Sequence, residues 1–195
     1  MSLRDRNRRA AMRAIQDAAL DLFEERGFDA VSVEDVAAAA GASPSTVYRR
    51  FGTKERLVLH DEQDARLDAE LVRALGSLDR DAPLAALGDA FVAAFEDLDP
   101  AELALQRRRG ALVDAEPALA AALVAEIDHG REELAGGLRA ALRRARTELE
   151  CDVLARVAFA AFIAGFEAWQ RAWPSGSLPR MIRRAFDAAE RVTGG

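Results

Sequence analysis

The chain has 195 residues, of which 50% are hydrophobic, 31% are charged and only 6% are aromatic, and its formal net charge is −6. One cysteine and two histidines exclude a disulfide framework or a cysteine-rich zinc site and leave little for a metal centre. Abundant Ala, Leu, Arg and Glu favour an all-α protein. The polar N-terminus lacks a secretory signal, and the apolar run 157–166 is too short for a membrane span, which predicts a soluble cytoplasmic protein.

The charge is segregated along the chain. Residues 1–13 hold five arginines against one aspartate, and residues 45–56 hold four basic side chains against one glutamate, whereas the rest is acidic. Clustered basic residues are what phosphate neutralisation requires, and a solvated helix face is the alternative.

Helix signals follow one another closely in the first third of the chain. A first helix is predicted from about Arg8 to Arg26, with Gly27 as a left-handed cap and Phe28 folded back on the last turn. Ser32 and Asp35 form an approximate capping box that opens a second helix, which Gly41 ends. Ser43 and Pro44 then suit the N-cap and first position of a short third helix, which ends at Phe51.

The remaining helices are longer. A continuous fourth helix is predicted from Thr53 to about Gly76, and five more begin near Pro83, Pro100, Pro117, Cys151 or Asp152, and Ser177, which gives nine. The pair at 136–137 is expected to kink or divide the helix that contains it. The predicted architecture is a domain over 1–53, with a three-helix helix-turn-helix, and a second helical domain over 54–195.

The third helix has two different faces. On a helical wheel of residues 44–51, Val47 and Phe51 point inward, whereas Ser45, Thr46 and Arg49 lie opposite, flanked by Tyr48 and Arg50. The outward face offers hydroxyls, guanidinium groups and a phenol without a carboxylate, as a helix in the DNA major groove requires.

Lys54 is the only lysine of the chain and is predicted at the start of the fourth helix. The helix dipole disfavours a cation there by about 0.3–1 kcal/mol, which indicates that an anion joins it. A phosphate-binding corner is the functional interpretation, and a lysine extended into solvent is the alternative.

Two sequence stretches resemble the N-terminal domain of TetR-family transcriptional regulators. They are AALDLFEERGFDAVSVEDVA at residues 18–37 and AGASPSTVYRRFGTKERL at residues 40–57. The resemblance covers roughly residues 8–60. It implies a homodimer that binds a palindromic operator through paired recognition helices, that acts most often as a repressor and that is released by a small-molecule effector.

The resemblance also implies which side chains bind DNA. These candidates are Ser32, Pro44, Ser45, Thr46, Tyr48, Arg49, Arg50 and Lys54. Arg50 departs from the histidine that many members carry at this position, so Arg49 and Ser45 rank above it for base recognition.

The C-terminal two-thirds is less specific. A heptad-like aromatic stripe runs from Phe159 to Trp173. Together with the resemblance, it predicts a dimer interface that includes Phe159, Trp169, Ile182 and Phe186, and an intrachain core is the alternative. The candidates for a ligand pocket, each of which also suits plain core, are Phe91, Phe95, Arg109, Leu112, Phe162 and Phe166.

The run 106–109 is the strongest basic segment in this part of the chain. Surface ion pairs with Glu102 or Asp114 are its ordinary interpretation. An anionic effector such as an acyl-CoA is the alternative, because residues 107–123 are similar to mycofactocin-associated regulators, some related members of which sense acyl-CoA.

Two other classes of protein fit these residues less well. A helical enzyme would need an activated cluster of side chains or a phosphate-binding loop, and no such motif, cofactor site or metal site is predicted. A helical adaptor would not require a basic, hydroxyl-rich helix beside Lys54. The sequence therefore predicts a ligand-responsive DNA-binding regulator.

Overall fold

The structure is a computed structural model that describes residues 3–193, without the side chains of residues 3–6, 9 and 62. Over that range the regular structure consists of ten α-helices and no strand. They are α1 (Leu3–Arg26), α2 (Val33–Ala39), α3 (Pro44–Phe51), α4 (Arg56–Leu59), α5 (Glu62–Gly76), α6 (Pro83–Phe95), α7 (Pro100–Ala115), α8 (Pro117–Leu142), α9 (Glu148–Ala172) and α10 (Leu178–Thr193). The all-α prediction is confirmed. Within the described range, no helix combines the length and the apolar character that crossing a bilayer needs.

The helices form two compact units. The first holds the chain up to His60 together with Leu103–Leu123, and the second holds Asp61–Glu102 and the chain from Val124 onward. The functional boundary predicted after residue 53 stays a prediction; as packed units, α4 and the segment 103–123 belong with the first three helices.

The sequence signals between α1 and α2 act as predicted. Gly27 adopts a φ of +86° and its N–H donates to the Phe23 carbonyl at 2.9 Å, which ends α1. The Phe28 ring packs back on Phe23, with 4.9 Å between the ring centroids. Ser32 and Asp35 form the capping box that starts α2.

The turn between α2 and α3 depends on Gly41. Its φ of +63° is the left-handed conformation that costs glycine least, and the N–H of Ala42 returns to the Ala37 carbonyl at 2.8 Å. The chain then reverses into α3, where the Ser43 hydroxyl accepts the Thr46 N–H at 3.2 Å, as the predicted N-cap requires.

The predicted fourth helix is interrupted, which gives ten helices in the described range where nine were predicted. His60 is extended, with ψ of 121°, and separates α4 from α5. The buried Gln16 amide of α1 donates to the carbonyls of Leu57 and His60, at 3.2 and 2.7 Å, so these acceptors are satisfied without a continuing helix. Asp61 then starts α5 through a capping box with Asp64.

Each unit has its own apolar core. In the first unit, Leu112 and Leu119 from the segment 103–123 pack with the inward faces of α1 to α4. In the second, the largest buried side chains include Phe91, Trp169 and Phe186. α9 and α10 pack closely at Gly165 because glycine has no side chain. A Cβ at this position would lie 2.7 Å from the Ile182 Cα.

Two further expectations about the C-terminal part need correction. The glycine pair 136–137 does not divide α8, which continues to Leu142. The four side chains expected at a dimer interface, Phe159, Trp169, Ile182 and Phe186, are at most 9% exposed in the single chain. These four side chains lie in the core of the second unit, whereas Phe162, Phe166 and Trp173 of the same stripe are only partly buried.

Candidate DNA-binding site

α3 presents the two faces that its sequence predicts. Val47 and Phe51 are buried in the first unit, whereas Ser45, Tyr48 and Arg49 are exposed. Tyr48 keeps 47% of its surface open to solvent, although a large ring normally packs inward. The face combines an exposed phenol, a hydroxyl and a guanidinium with no acidic residue on the helix.

Three hydroxyls cluster at the first turn of α3. The Ser43 Oγ lies 3.0 Å from the Ser45 Oγ and 2.8 Å from the Thr46 Oγ1. Each hydroxyl carries one donor and two acceptor lone pairs, so the cluster can rearrange to donate to a phosphate or a base edge. Ser43 was identified from sequence only as a cap, and its position adds it to the candidate site.

Ser32 is exposed at the start of α2 but its hydroxyl is already engaged. It donates to the Asp35 carboxylate at 2.5 Å and accepts the Asp35 N–H at 3.1 Å. The hydroxyl and the backbone N–H of Ser32 lower the pKa of Asp35. The Ser32 hydroxyl would therefore donate to a phosphate only after breaking its hydrogen bond to the Asp35 carboxylate.

Lys54 is not at a helix start, which corrects the argument from the helix dipole. α4 begins at Arg56, and the Lys54 ammonium donates to the Phe28 carbonyl. The same Nζ lies 4.2 Å from the centroid of the Phe28 ring and 5.7 Å from that of Phe23, within range of a cation–π interaction. Since an ammonium has three donors, two remain for a phosphate.

Three predicted site residues line one open depression. Ser32, Tyr48 and Lys54 surround it together with the segment Asp29–Glu34. The carboxylates of Asp29 and Glu34, at the two ends of this segment, would repel a phosphate. The positive charge of Lys54 is therefore needed for a phosphate to bind in this depression.

The N-terminal basic segment reaches the site through Arg50. The Arg50 Nη1 donates to the Arg8 carbonyl of α1 at 3.4 Å, a long hydrogen bond that leaves most of the guanidinium available. Arg8 and Arg13 are exposed on α1. The side chains of the other basic residues of this segment, at positions 4, 6 and 9, lie outside the described residues.

The predicted effector residues fall in two places. Phe162 of α9 stacks on Phe91 and Phe95 of α6, at 5.0 and 5.4 Å between centroids, and Phe166 lies 6.2 Å from Phe162. All four belong to the second unit. The other two candidates, Arg109 and Leu112, are buried in the first unit, where Leu112 joins the core around α1 to α4.

The basic run 106–109 has a partner that sequence reasoning missed. Arg108 binds Asp21 and Glu24 of α1 rather than Glu102 or Asp114 of its own helix. No local pattern points to this pairing, because 84 and 87 positions separate the partners. The guanidinium is therefore neutralised within the first unit.

These features define a class of protein: a helix-turn-helix DNA-binding unit carried in a chain with a second helical unit. Residues 15–60 match the family described as bacterial regulatory proteins of the tetR family, and residues 81–193 match the MftR C-terminal domain. The chain belongs to the TetR family of transcriptional regulators, with a C-terminal domain of the MftR type.

Named relatives agree with this assignment. The chain is 28% identical over 185 residues, 93% of its own length and 90% of the other, to a putative mycofactocin biosynthesis transcriptional regulator, MftR, of Mycobacterium tuberculosis. It is 31% identical over 180 residues, 88% of its length and 76% of the other, to the regulator TcmR of Streptomyces glaucescens. These relatives are transcriptional regulators and not enzymes.

A solved structure shares the fold. NalD of Pseudomonas aeruginosa, the secondary repressor of a multidrug efflux pump, has a TM-score of 0.56 at 23% identity, over 94% of this chain and 96% of that one. Members of the family bind DNA operators, typically as dimers, and respond to small-molecule effectors.

Proposed function

We propose that this regulator reads a palindromic operator by placing α3 in the major groove, with Arg49 and Ser45 on base edges. The observation that carries the proposal is the division of α3 into a buried apolar side and an exposed side without carboxylates. Contacts with the sugar–phosphate backbone of the DNA would hold α3 in the groove. We assign these contacts to Ser32, Pro44, Thr46, Tyr48, Arg50 and Lys54.

The role proposed for Lys54 follows from its position. Its ammonium is held against Phe28, at the rim of the depression shared with Ser32 and Tyr48, and retains donors for a phosphate. A cation held in place on the protein loses less side-chain freedom on binding than a mobile one.

The test is fluorescence anisotropy on duplexes from upstream of the chain's own gene, over a series of salt concentrations. Wild type should bind one sequence selectively and lose affinity steeply with salt. Arg49→Ala should lose about 1–3 kcal/mol of discrimination at one base position, whereas Lys54→Ala should weaken all duplexes alike. Arg180→Ala, an exposed arginine of the second unit, is the matched control.

Binding with no sequence preference would contradict the assignment of Arg49, and equal effects of Arg49→Ala and Arg180→Ala would contradict the use of α3. Failure to bind any upstream duplex would contradict operator recognition near the chain's own gene.

For the dimer, we propose that a second copy packs on the exposed face of α9. Leu149 and Val153 are 72% and 49% exposed there, and the exposed Ala160 and Ala164 continue the same face at helical spacing. These residues replace the buried Phe159, Trp169, Ile182 and Phe186 as interface candidates. Val153→Glu should dissociate the dimer in light scattering, and Val72→Glu, which changes an equally apolar but unrelated position with 70% exposure, should not.

For the effector, we propose an apolar ligand that binds at the stacked rings Phe91, Phe95, Phe162 and Phe166. Phe162 and Phe166 are only partly buried, so part of the stack is exposed to solvent. An acyl-CoA remains a hypothesis, although Arg108 is already neutralised by two carboxylates. In a thermal-shift screen, stabilisation by unrelated apolar ligands but not by acyl-CoA would reject it.

We propose a cytoplasmic location, where operator DNA is found.

A further inference from the structure

A depression at the end of α8 is lined mainly by arginine. Its volume is about 240 Å³, and its walls are Arg80, Ala140, Ala141, Arg143 and Arg144. Arg80 comes from the loop between α5 and α6, whereas Arg143 and Arg144 directly follow the last residue of α8. Two separate segments of the second unit therefore bring three exposed arginines to the lining of one depression.

These three arginines lack the partners that their neighbours have. Among the described side chains, none of the three guanidinium groups forms an ion pair or donates a hydrogen bond. By contrast, Arg66, Arg139 and Arg183 of the same unit each bind an aspartate from another segment. In a chain with a net charge of −6, carboxylates are abundant, yet none is among the residues that line this depression.

Two carboxylates lie next to Arg80 in the sequence. Asp79 and Asp81 flank Arg80, and the Asp79 carboxylate accepts the Asp81 N–H at 2.9 Å, a local bond that stabilises the loop. Neither aspartate lines the depression.

A purely structural role explains only part of the cluster. Cations are favoured after the C-terminus of a helix, by about 0.3–1 kcal/mol, which accounts for Arg143 and Arg144 at the end of α8. It does not account for Arg80, whose charge adds repulsion to the two others. A bound anion removes that repulsion.

We propose that Arg80, Arg143 and Arg144 form a binding site for a phosphate-bearing ligand of about the size of a diphosphate. Guanidinium groups bind phosphate oxygens through two parallel hydrogen bonds, and they do so more strongly than neutral donors. Pockets that enclose drug-sized ligands measure about 300–1,000 Å³, so this smaller depression suits a phosphate moiety. The site belongs to the second unit, whereas α3 belongs to the first, and it shares no residue with the stacked phenylalanines proposed for the effector.

The test is titration calorimetry of the full chain with pyrophosphate in a low-salt buffer free of phosphate. We expect one pyrophosphate per chain. Arg143→Gln/Arg144→Gln should weaken binding by about tenfold or more, and so should Arg80→Gln, which leaves the end of α8 unchanged. The control Arg180→Gln/Arg191→Gln removes two exposed arginines of α10 that also lack an ion-pair partner among the described residues, and it should change binding by less than about twofold.

A short duplex without the operator distinguishes a free phosphate ligand from nucleic-acid phosphates. Pyrophosphate binding that is lost in the variants, while duplex affinity stays constant, supports a free ligand; loss of both identifies nucleic acid as the source of the phosphates. Absence of pyrophosphate binding, or equal losses in the control pair, would overturn the site. None of these outcomes depends on operator recognition by α3.

Discussion

The guanidinium of Arg108 in α7 donates two hydrogen bonds to the carboxylate of Glu24 in α1. Its Nε donates to the Glu24 Oε1 at 2.8 Å and its Nη2 to the Glu24 Oε2 at 2.7 Å. The Nη2 also donates to Asp21 at 2.6 Å, and these bonds raise the pKa of Arg108 above its ordinary value. The segment 103–123 is thus tied to α1 by ion pairs as well as by the core contacts of Leu112.

Breaking this pair should destabilise the first unit. The geometry is bidentate but about one-third of the Arg108 side chain is exposed, so we expect Arg108→Gln to lower the free energy of unfolding by about 1 kcal/mol. A double-mutant cycle with Glu24→Gln measures the coupling by urea unfolding. Arg26→Gln, whose nearest carboxylate is 3.6 Å away on Glu25, is the control. A coupling energy near zero would show that the ion pair does not stabilise the folded state.

Gln16 should contribute more to the stability of the first unit than an ordinary polar residue of α1 does. Its amide satisfies the Leu57 and His60 carbonyls at the point where α4 ends. Gln16→Leu fills the volume but leaves buried acceptors unpaired, so we expect a loss of about 1–3 kcal/mol in urea unfolding. Arg13→Gln, an exposed change on the same helix, should cost far less. Equal effects of the two variants would contradict this role.

Gly165 and Gly136 provide opposite outcomes for the same substitution. A Cβ at Gly165 meets the backbone of Ile182 at 2.7 Å, which cannot move aside, so Gly165→Ala should lower stability by about 1–3 kcal/mol. At Gly136 the nearest atom is the flexible Arg139 Nη2 at 4.0 Å, and Gly136→Ala should raise stability by about 0.4–1 kcal/mol. Thermal unfolding of both variants measures this difference, and a stable Gly165→Ala protein would mean that α9 and α10 can separate.

The capping box of α2 should make stability depend on acid pH. The hydrogen bonds from Ser32 hold the pKa of Asp35 below its usual 3.8, so the ionised side chain favours the folded state. This contribution is fully present above pH 3.8 and is lost as the pH falls through the lower folded-state pKa. Asp35→Asn should therefore be less stable than wild type at neutral pH, and the difference should shrink in acid.

Chemical unfolding at a series of pH values measures this dependence. Glu34→Gln, which removes a neighbouring exposed carboxylate outside the capping box, is the control. A difference between Asp35→Asn and wild type that does not change with pH would contradict a charge-based role for Asp35.

Local signals were sufficient for much of the first unit. Gly27, Gly41, Ser32 and Ser43 stop or cap helices through bonds that reach no more than five residues along the chain, and sequence reasoning identified all four. The division of α3 into buried and exposed sides follows from helical periodicity in the same way.

Tertiary structure decided what depends on distant partners. The break between α4 and α5 requires Gln16, some forty residues away, and Lys54 is held by Phe28 rather than by a helix N-terminus. The periodicity of the aromatic stripe on α9 fits either an interface or a core, and only the folded chain shows that Phe159 and Trp169 lie in the core of their own unit. The sequence by itself determined the helical class, the caps and the division of α3 into a buried and an exposed side, because those features are local. The folded chain decided which charges are neutralised and which apolar faces are filled, because those depend on residues that meet only after folding.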